Sequence, residues 1–272
     1  MSAIAYLPMY AIPGARDHAD ALWRGLRDSL RRSGVEAPEQ LSSFASRPDG
    51  WLHPDLILGQ TCGLPYIAML CDAVELIGTP DYGVDGCPPG FYHSTLVVSA
   101  ADKRQRLSEF VGGVLAVNGT DSQSGYAAMM RAAAPFARDG RFFRRAIHTR
   151  LHGASMRLVA KGLADIAAID SVTWRVSRQF DPDKLALRSI GTTEPTPGLP
   201  FIAAKGKWDK RLLEAVRGGV AALPDQTRRA FGLRDVLPFR RADYEVIKTN
   251  LAQAEAVHSL PELEEMSAAP PP

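Results

Sequence analysis

Short apolar runs that alternate with amphipathic stretches most constrain what this chain can fold into. "AIAYLPMYA" reads as a first strand. It precedes a predicted helix over 16–33, whose Leu22, Trp23, Leu26 and Leu30 share one face. "DLILGQTCG" is a buried strand with a turn, and "LPYIAMLCD" a short helix. "VELIGTPDY" and "FYHSTLVVS" are strands, "AADKRQRLSEF" a short helix and "GVLAVNG" a strand again. A helix to about residue 138, the strand "FRRAIHTR", a helix from His152, the strand "ADIAAID" and a helix from Ser171 repeat the order. "LALRSIGTT" and "PFIAAKG" close the strands, and the chain reads as helical from about 207 to about 256.

The alternation predicts an α/β fold with largely parallel sheets. Two crossing points, near 96–101 and 192–200, divide the chain into two lobes. One is 1–96 with 198–272, and the other is 97–192. Chains of this layout bind a ligand in the cleft between the lobes and close on a hinge. The tail "SAAPPP" reads as disordered.

A net charge of +2, with 23% charged and 46% hydrophobic residues, excludes general binding to nucleic acid or acidic membranes. The basic cluster "RDGRFFRRAIHTR" reads as a solvated face. No run reaches the roughly 18 apolar residues that span a bilayer. The N-terminus lacks a basic region followed by a long apolar core, so no secretory leader is expected. Cys62, Cys71 and Cys87 are odd in number and form no CxxC, so neither zinc nor a disulfide framework is expected. These features point to the reducing cytoplasm, or to the periplasm if a leader has been removed. No cofactor or metal is implied.

"VNGTDSQSGYAAMM" (117–130) concentrates hydroxyls where a strand passes into a helix. Ser122 or Ser124 can serve as the N-cap. A cap uses one serine, yet Thr120, Gln123 and Gly125 stand beside it. A helix start leaves about four N–H groups open, and its dipole favours negative charge. Gly125 would let a ligand approach the backbone. Strand, polar turn and helix start together suit an anion.

Other candidates follow the same pattern. His152 opens a helix and could donate to an oxyanion, or it is a surface histidine. Asp170 ends a buried strand, where it could face a ligand or cap the following helix. Cys62, in "GQTCGLP", could be a nucleophile at a helix start or an inert small residue. Tyr92 lies in a strand near the first crossing and Tyr10 at the end of the first strand. No Walker loop, HExxH or GxSxG is present, and no catalytic residue is assigned.

"FYHSTLVV", "VLAVNGTDSQSGY" and "HGASMRLVAKGLADIAAIDSVTW" occur in this order. Together they resemble the PhnD-like phosphate and phosphonate substrate-binding proteins of ABC transporters, over about 4–205 and most strongly over 91–174. The resemblance implies a two-lobe type 2 periplasmic-binding fold with central mixed sheets and two hinge crossovers. It implies a small oxyanion in the interlobe cleft and an ABC permease as partner, with neither nucleic-acid binding nor membrane insertion. Tyr92, Ser122, Gln123, Ser124, His152 and Asp170 match the positions that line the ligand in that family. Two features depart from it: no leader or lipid-anchor cysteine opens the chain, and Gln123 stands between the serines where relatives often carry Thr. The same fold also serves cytoplasmic enzymes such as menaquinone-pathway dehydratases, and ligand sensors such as LysR-type effector domains. A lyase-like enzyme or a sensor is therefore the alternative.

Overall fold

The computed structural model describes residues 3–10, 12, 14–180, 186–207 and 210–266. The tail read as disordered, 267–272, lies outside these residues. In chain order the elements begin β1 (Ile4–Tyr6), α1 (Arg16–Arg32), α2 (Arg47–Trp51), β2 (Leu56–Gln60) and α3 (Gly63–Pro65), which a π turn (Tyr66–Leu70) continues. Then come β3 (Val74–Asp81), β4 (Phe91–Tyr92), β5 (Ser94–Ser99), a 3-10 turn (Leu107–Phe110) and β6 (Val114–Val117). A π turn (Gln123–Ala127) leads into α4 (Ala128–Ala133) and a 3-10 turn (Ala134–Phe136). The chain goes on through β7 (Arg145–His148), α5 (His152–Ala160), β8 (Ile166–Asp170), α6 (Ser171–Phe180), β9 (Leu187–Thr192) and β10 (Thr196–Pro197). It closes with β11 (Phe201–Ala204), α7 (Lys210–Ala221), α8 (Asp225–Phe231), β12 (Asp235–Leu237), α9 (Arg241–Glu255) and β13 (Leu263–Glu265).

These elements form two compact units, Met1–Tyr92 with Pro195–Lys248, and His93–Glu194 with Thr249–Pro272. The first holds a five-stranded sheet in the order β1-β2-β11-β3-β12. There β1 and β2 run parallel, and β11 is antiparallel to both β2 and β3. Every residue of β2, "LILGQ", is buried, so the strand is a continuous run rather than an alternating one. Leu22, Trp23, Leu26 and Leu30 make the buried stripe of α1, as their spacing predicts. This helix meets α7 closely because both carry glycine at the contact. A Cβ on Gly219 would lie 2.9 Å from the Leu26 Cα and 3.1 Å from the Gly25 carbonyl oxygen.

The second unit holds a six-stranded sheet in the order β13-β7-β6-β8-β5-β9. From β13 to β8 the strands are parallel, while β5 is antiparallel to β8 and β9. Val97, Val114, Ala116, Met156, Ala167 and Ile169 belong to one buried core. β8, "IAAID", is buried throughout, again without alternation.

Several elements differ from the sequence reading. The sheets are mixed, as the family resemblance implies, rather than largely parallel as the alternation alone predicts, because β11 and β12 return antiparallel beside β3. The first strand stops at Tyr6, before Pro8, which has no N–H to give a ladder. "FYHSTLVVS" splits at His93: Tyr92 pairs with Thr196 in a two-stranded ribbon, whereas Ser94 pairs with Asp170 in the six-stranded sheet. "AADKRQRLSEF" makes one 3-10 turn, not a helix. Its own carboxylates take the main-chain donors: Asp102 Oδ1 accepts from the Arg104 N–H at 2.9 Å, and Glu109 Oε2 from those of Gln105 and Arg106 at 2.9 and 2.8 Å. The helical tract after 207 is interrupted by β12, which pairs with β3. The last segment, assigned from the sequence to the first lobe, instead places β13 beside β7 in the second unit.

Candidate functional site

β7, β6 and β8 are parallel neighbours, so their C-terminal ends share one edge of the sheet. In open α/β sheets that edge is where ligands gather. Each of these three strands delivers candidate residues there.

β6 passes through Asn118 and Gly119 to Ser122, the N-cap of the following helix, whose Oγ accepts from the Gly125 N–H at 2.9 Å. The wide π turn sends the Tyr126 and Ala127 N–H groups to the Ser122 carbonyl, at 3.1 and 3.0 Å. Among the described residues no acceptor meets the Ser124 N–H. Ser122, Gln123 and Ser124 are all buried. Ser122 accepts one bond and keeps its hydroxyl proton to donate. A donor amide, a hydroxyl and the positive end of a helix dipole therefore converge on this turn.

β7 passes through Thr149 to α5, which His152 opens. Thr149 fixes the loop by donating to the Val117 carbonyl at 3.1 Å, with its oxygen 2.6 Å from Ser155 Oγ. His152 Nε2 lies 2.9 Å from Ser124 Oγ. The two residues the sequence placed in one candidate site are thus in direct contact.

β8 ends in Asp170, buried, whose Oδ1 accepts from the Thr173 N–H at 2.8 Å. This is the helix-capping role weighed from the sequence. Its main-chain partner across the sheet is Ser94, whose hydroxyl donates to the Ser124 carbonyl at 2.8 Å. Ser94 so ties β8 to the serine turn.

Gly125 has a different neighbour from the one expected. A Cβ there would lie 1.7 Å from Asn118 Oδ1 and 3.3 Å from Ser122 Oγ. The space beside its backbone is filled by the Asn118 amide, not left open for a ligand. Tyr126, in the same turn, donates to Glu255 Oε1 at 2.7 Å, and burial first and then Glu255 hold its phenol well above the ordinary range.

Tyr10, Cys62 and Tyr92 belong to the first unit. The Tyr10 ring packs edge-on against Tyr82 with centroids 5.1 Å apart, and the Tyr82 hydroxyl accepts from Gln60 Nε2 at 3.0 Å. Cys62 follows the end of β2 at the N-cap of α3 and is half-buried. Tyr92 is buried in the ribbon strand β4. The sequence reading did not single out Ser94, Asn118, Thr149 or Tyr82. A signal existed for Asn118 and Thr149: each is a hydroxyl or amide residue just beyond the end of a strand. Among the described residues no cluster of His, Cys, Asp and Glu could hold a metal ion, and no helix is long and apolar enough to cross a membrane.

The family described as "ABC transporter, phosphonate, periplasmic substrate-binding protein" matches residues 56–245, well over half of the chain. No curated protein matches the sequence. Among solved structures, PhnD1 from Prochlorococcus marinus in complex with methylphosphonate has a TM-score of 0.72 at 14% identity, over 93% of this chain and 97% of that one. A binding protein component of an ABC phosphonate transporter from Pseudomonas aeruginosa has a TM-score of 0.68 at 12% identity, over 94% and 88%. The periplasmic aliphatic sulphonate binding protein SsuA from Escherichia coli has a TM-score of 0.61 at 14% identity, over 93% and 90%. At such identities the likeness establishes the fold, that of type 2 periplasmic binding proteins.

Proposed function

The chain belongs to the phosphonate family of periplasmic substrate-binding proteins of ABC transporters, and from that premise we propose that it binds a small phosphonate or phosphate compound as the substrate-binding component of such a transporter. The observation that carries this reading is the contact of Ser124 with His152 at the start of a helix whose Ser124 N–H has no acceptor among the described residues. Donors without a partner at a helix start match an oxyanion better than a neutral or cationic ligand. In this proposal Ser122, Gln123, Ser124 and His152 hold the anionic head. Asp170, in the same unit, lies beside that head, and an ABC permease receives the ligand. The family's periplasmic setting is part of the proposal, in place of the cytoplasm expected from the N-terminus.

A thermal-shift screen over methylphosphonate, phosphate, an aliphatic sulfonate, sulfate and small carboxylates tests the reading, because a ligand selective for the folded chain raises its melting temperature. Methylphosphonate or phosphate should raise it most. A rise with carboxylates alone would contradict the proposal. Closure on the ligand belongs to the same proposal, and small-angle scattering should give a smaller radius of gyration at saturating ligand.

One observation favours a second reading. A serine hydroxyl within hydrogen-bond distance of a histidine nitrogen is also what a nucleophile and its base require. Turnover of a bound phosphonate or phosphate ester would favour the enzyme, and release of the ligand unchanged the binding protein.

A further inference from the structure

We propose that Glu265, on the last strand of the chain, is a positioning residue for the anion site. This inference rests on the function proposed above and extends it to a segment far from the site in sequence. β13 lies parallel to β7 with Glu265 in register with His148, and the Met266 N–H donates to the His148 carbonyl at 3.2 Å. The strand therefore ends beside the loop that carries His152.

The Glu265 carboxylate holds two side chains at once. Its Oε1 lies 2.9 Å from His148 Nδ1, and its Oε2 accepts from Arg150 Nη2 at 3.2 Å. These bonds hold its carboxyl below the ordinary glutamate range. His148 turns its other ring nitrogen toward the serine loop: a Cβ on Gly119 would lie 3.7 Å from His148 Nε2. Gly119 stands three residues before Ser122.

Arg150 stands two residues before His152 and has a φ of 67°, in the left-handed region that a side chain disfavours. Such a conformation persists only where its surroundings hold it. Thr149, between the two Glu265 partners, is already fixed to Val117 and Ser155. One carboxylate thus grips both ends of the loop that leads to His152, and through His148 it borders the loop that leads to Ser122.

Two more residues of the segment hold the serine turn and the helix that follows it. Glu255 accepts from Tyr126, and His258 Nε2 lies 2.9 Å from the Met130 carbonyl oxygen. The C-terminal segment is a brace for the site rather than a trailing end. Because Glu265 is exposed, removing its charge should not unfold the chain.

The test compares wild type, Glu265→Gln, Glu265→Asp and Ser122→Ala/Ser124→Ala, with methylphosphonate as probe in calorimetry and with amide hydrogen exchange. Glu265→Gln should weaken methylphosphonate binding by about two- to fivefold, the range of an exposed ion pair. It should speed exchange at 149–152 while leaving exchange in β8 unchanged, and Glu265→Asp should restore part of both. Equal affinity and equal exchange at 149–152 in wild type and Glu265→Gln, with weakened binding in Ser122→Ala/Ser124→Ala, would overturn the proposal and leave the site intact. Unchanged affinity in the double serine variant would instead remove the site reading.

Discussion

The Ser124 hydroxyl lies 2.9 Å from His152 Nε2, joining two loops 28 residues apart in sequence. In the proposed site this contact would couple anion binding to the charge on His152. A protonated His152 donates to Ser124 Oγ and leaves the serine proton free for an anion, while adding positive charge. Affinity for an anion should therefore fall as pH rises between about 5 and 8, where histidine side chains change charge. Methanesulfonate keeps its charge across that range and isolates the effect of the protein. In calorimetry with methanesulfonate, wild type should lose affinity with rising pH and His152→Gln should give a flat profile. Parallel profiles would place His152 outside the site.

The two serines should separate on substitution. Ser124→Ala removes a hydroxyl of the proposed site together with its contact to His152, and should weaken methylphosphonate binding by about 1.5–3 kcal/mol while leaving the cap bond to the Gly125 N–H in place. Ser122→Ala also removes the cap bond to the Gly125 N–H. It should therefore lower unfolding free energy by about 0.5–2 kcal/mol as well as affinity. Urea unfolding and calorimetry on the two single variants check this, and equal stability losses would argue against the assigned cap.

Gly125→Ala should destabilise the fold by about 1–3 kcal/mol, because its methyl collides with Asn118 Oδ1. Asn118→Ala should relieve the collision, so the double variant should lose less than the sum of the single ones. Additive losses would show that another contact limits residue 125.

Much of the second unit was legible in the sequence because its strands are buried runs followed at once by polar turns. "VLAVNG" and "ADIAAID" needed no tertiary knowledge, and a serine cap follows from residue type, which left Ser122 and Ser124 equal until the fold assigned it to Ser122. Three features were not legible for physical reasons. The break at His93 depends on which partner each half finds, Thr196 or Asp170, and no turn residue marks it in the sequence. The role of Gly125 depends on the side chain of Asn118 filling its space. The contact of Glu265 with His148 and Arg150 joins residues more than a hundred positions apart, through a strand of three residues that carries no apolar signal.

The loop after β5 should set part of the acid sensitivity. Arg104 Nη2 lies 2.6 Å from Asp102 Oδ2 and 2.6 Å from Asp165 Oδ1, and Asp165 Oδ2 accepts from the Val114 N–H at 2.7 Å. The side-chain bond from Arg104, with its main-chain N–H, holds the Asp102 carboxyl below the ordinary carboxylate range. A folded pKa below the unfolded one favours the folded chain at neutral pH, and that contribution is lost as pH falls below about 4. Asp102→Asn should be less stable than wild type at pH 7, and the gap should shrink in urea titrations toward pH 3. A gap that stays constant would show that Asp102 does not supply it.

The most direct test of the central claim is nuclear magnetic resonance of the Ser124 amide and the His152 ring nitrogens during titration with methylphosphonate. If the turn from Ser122 to Gly125 and His152 form the anion site, both signals should move saturably, with the dissociation constant that calorimetry gives for the same samples. Heat of binding with both signals unmoved would place the ligand elsewhere and contradict the account.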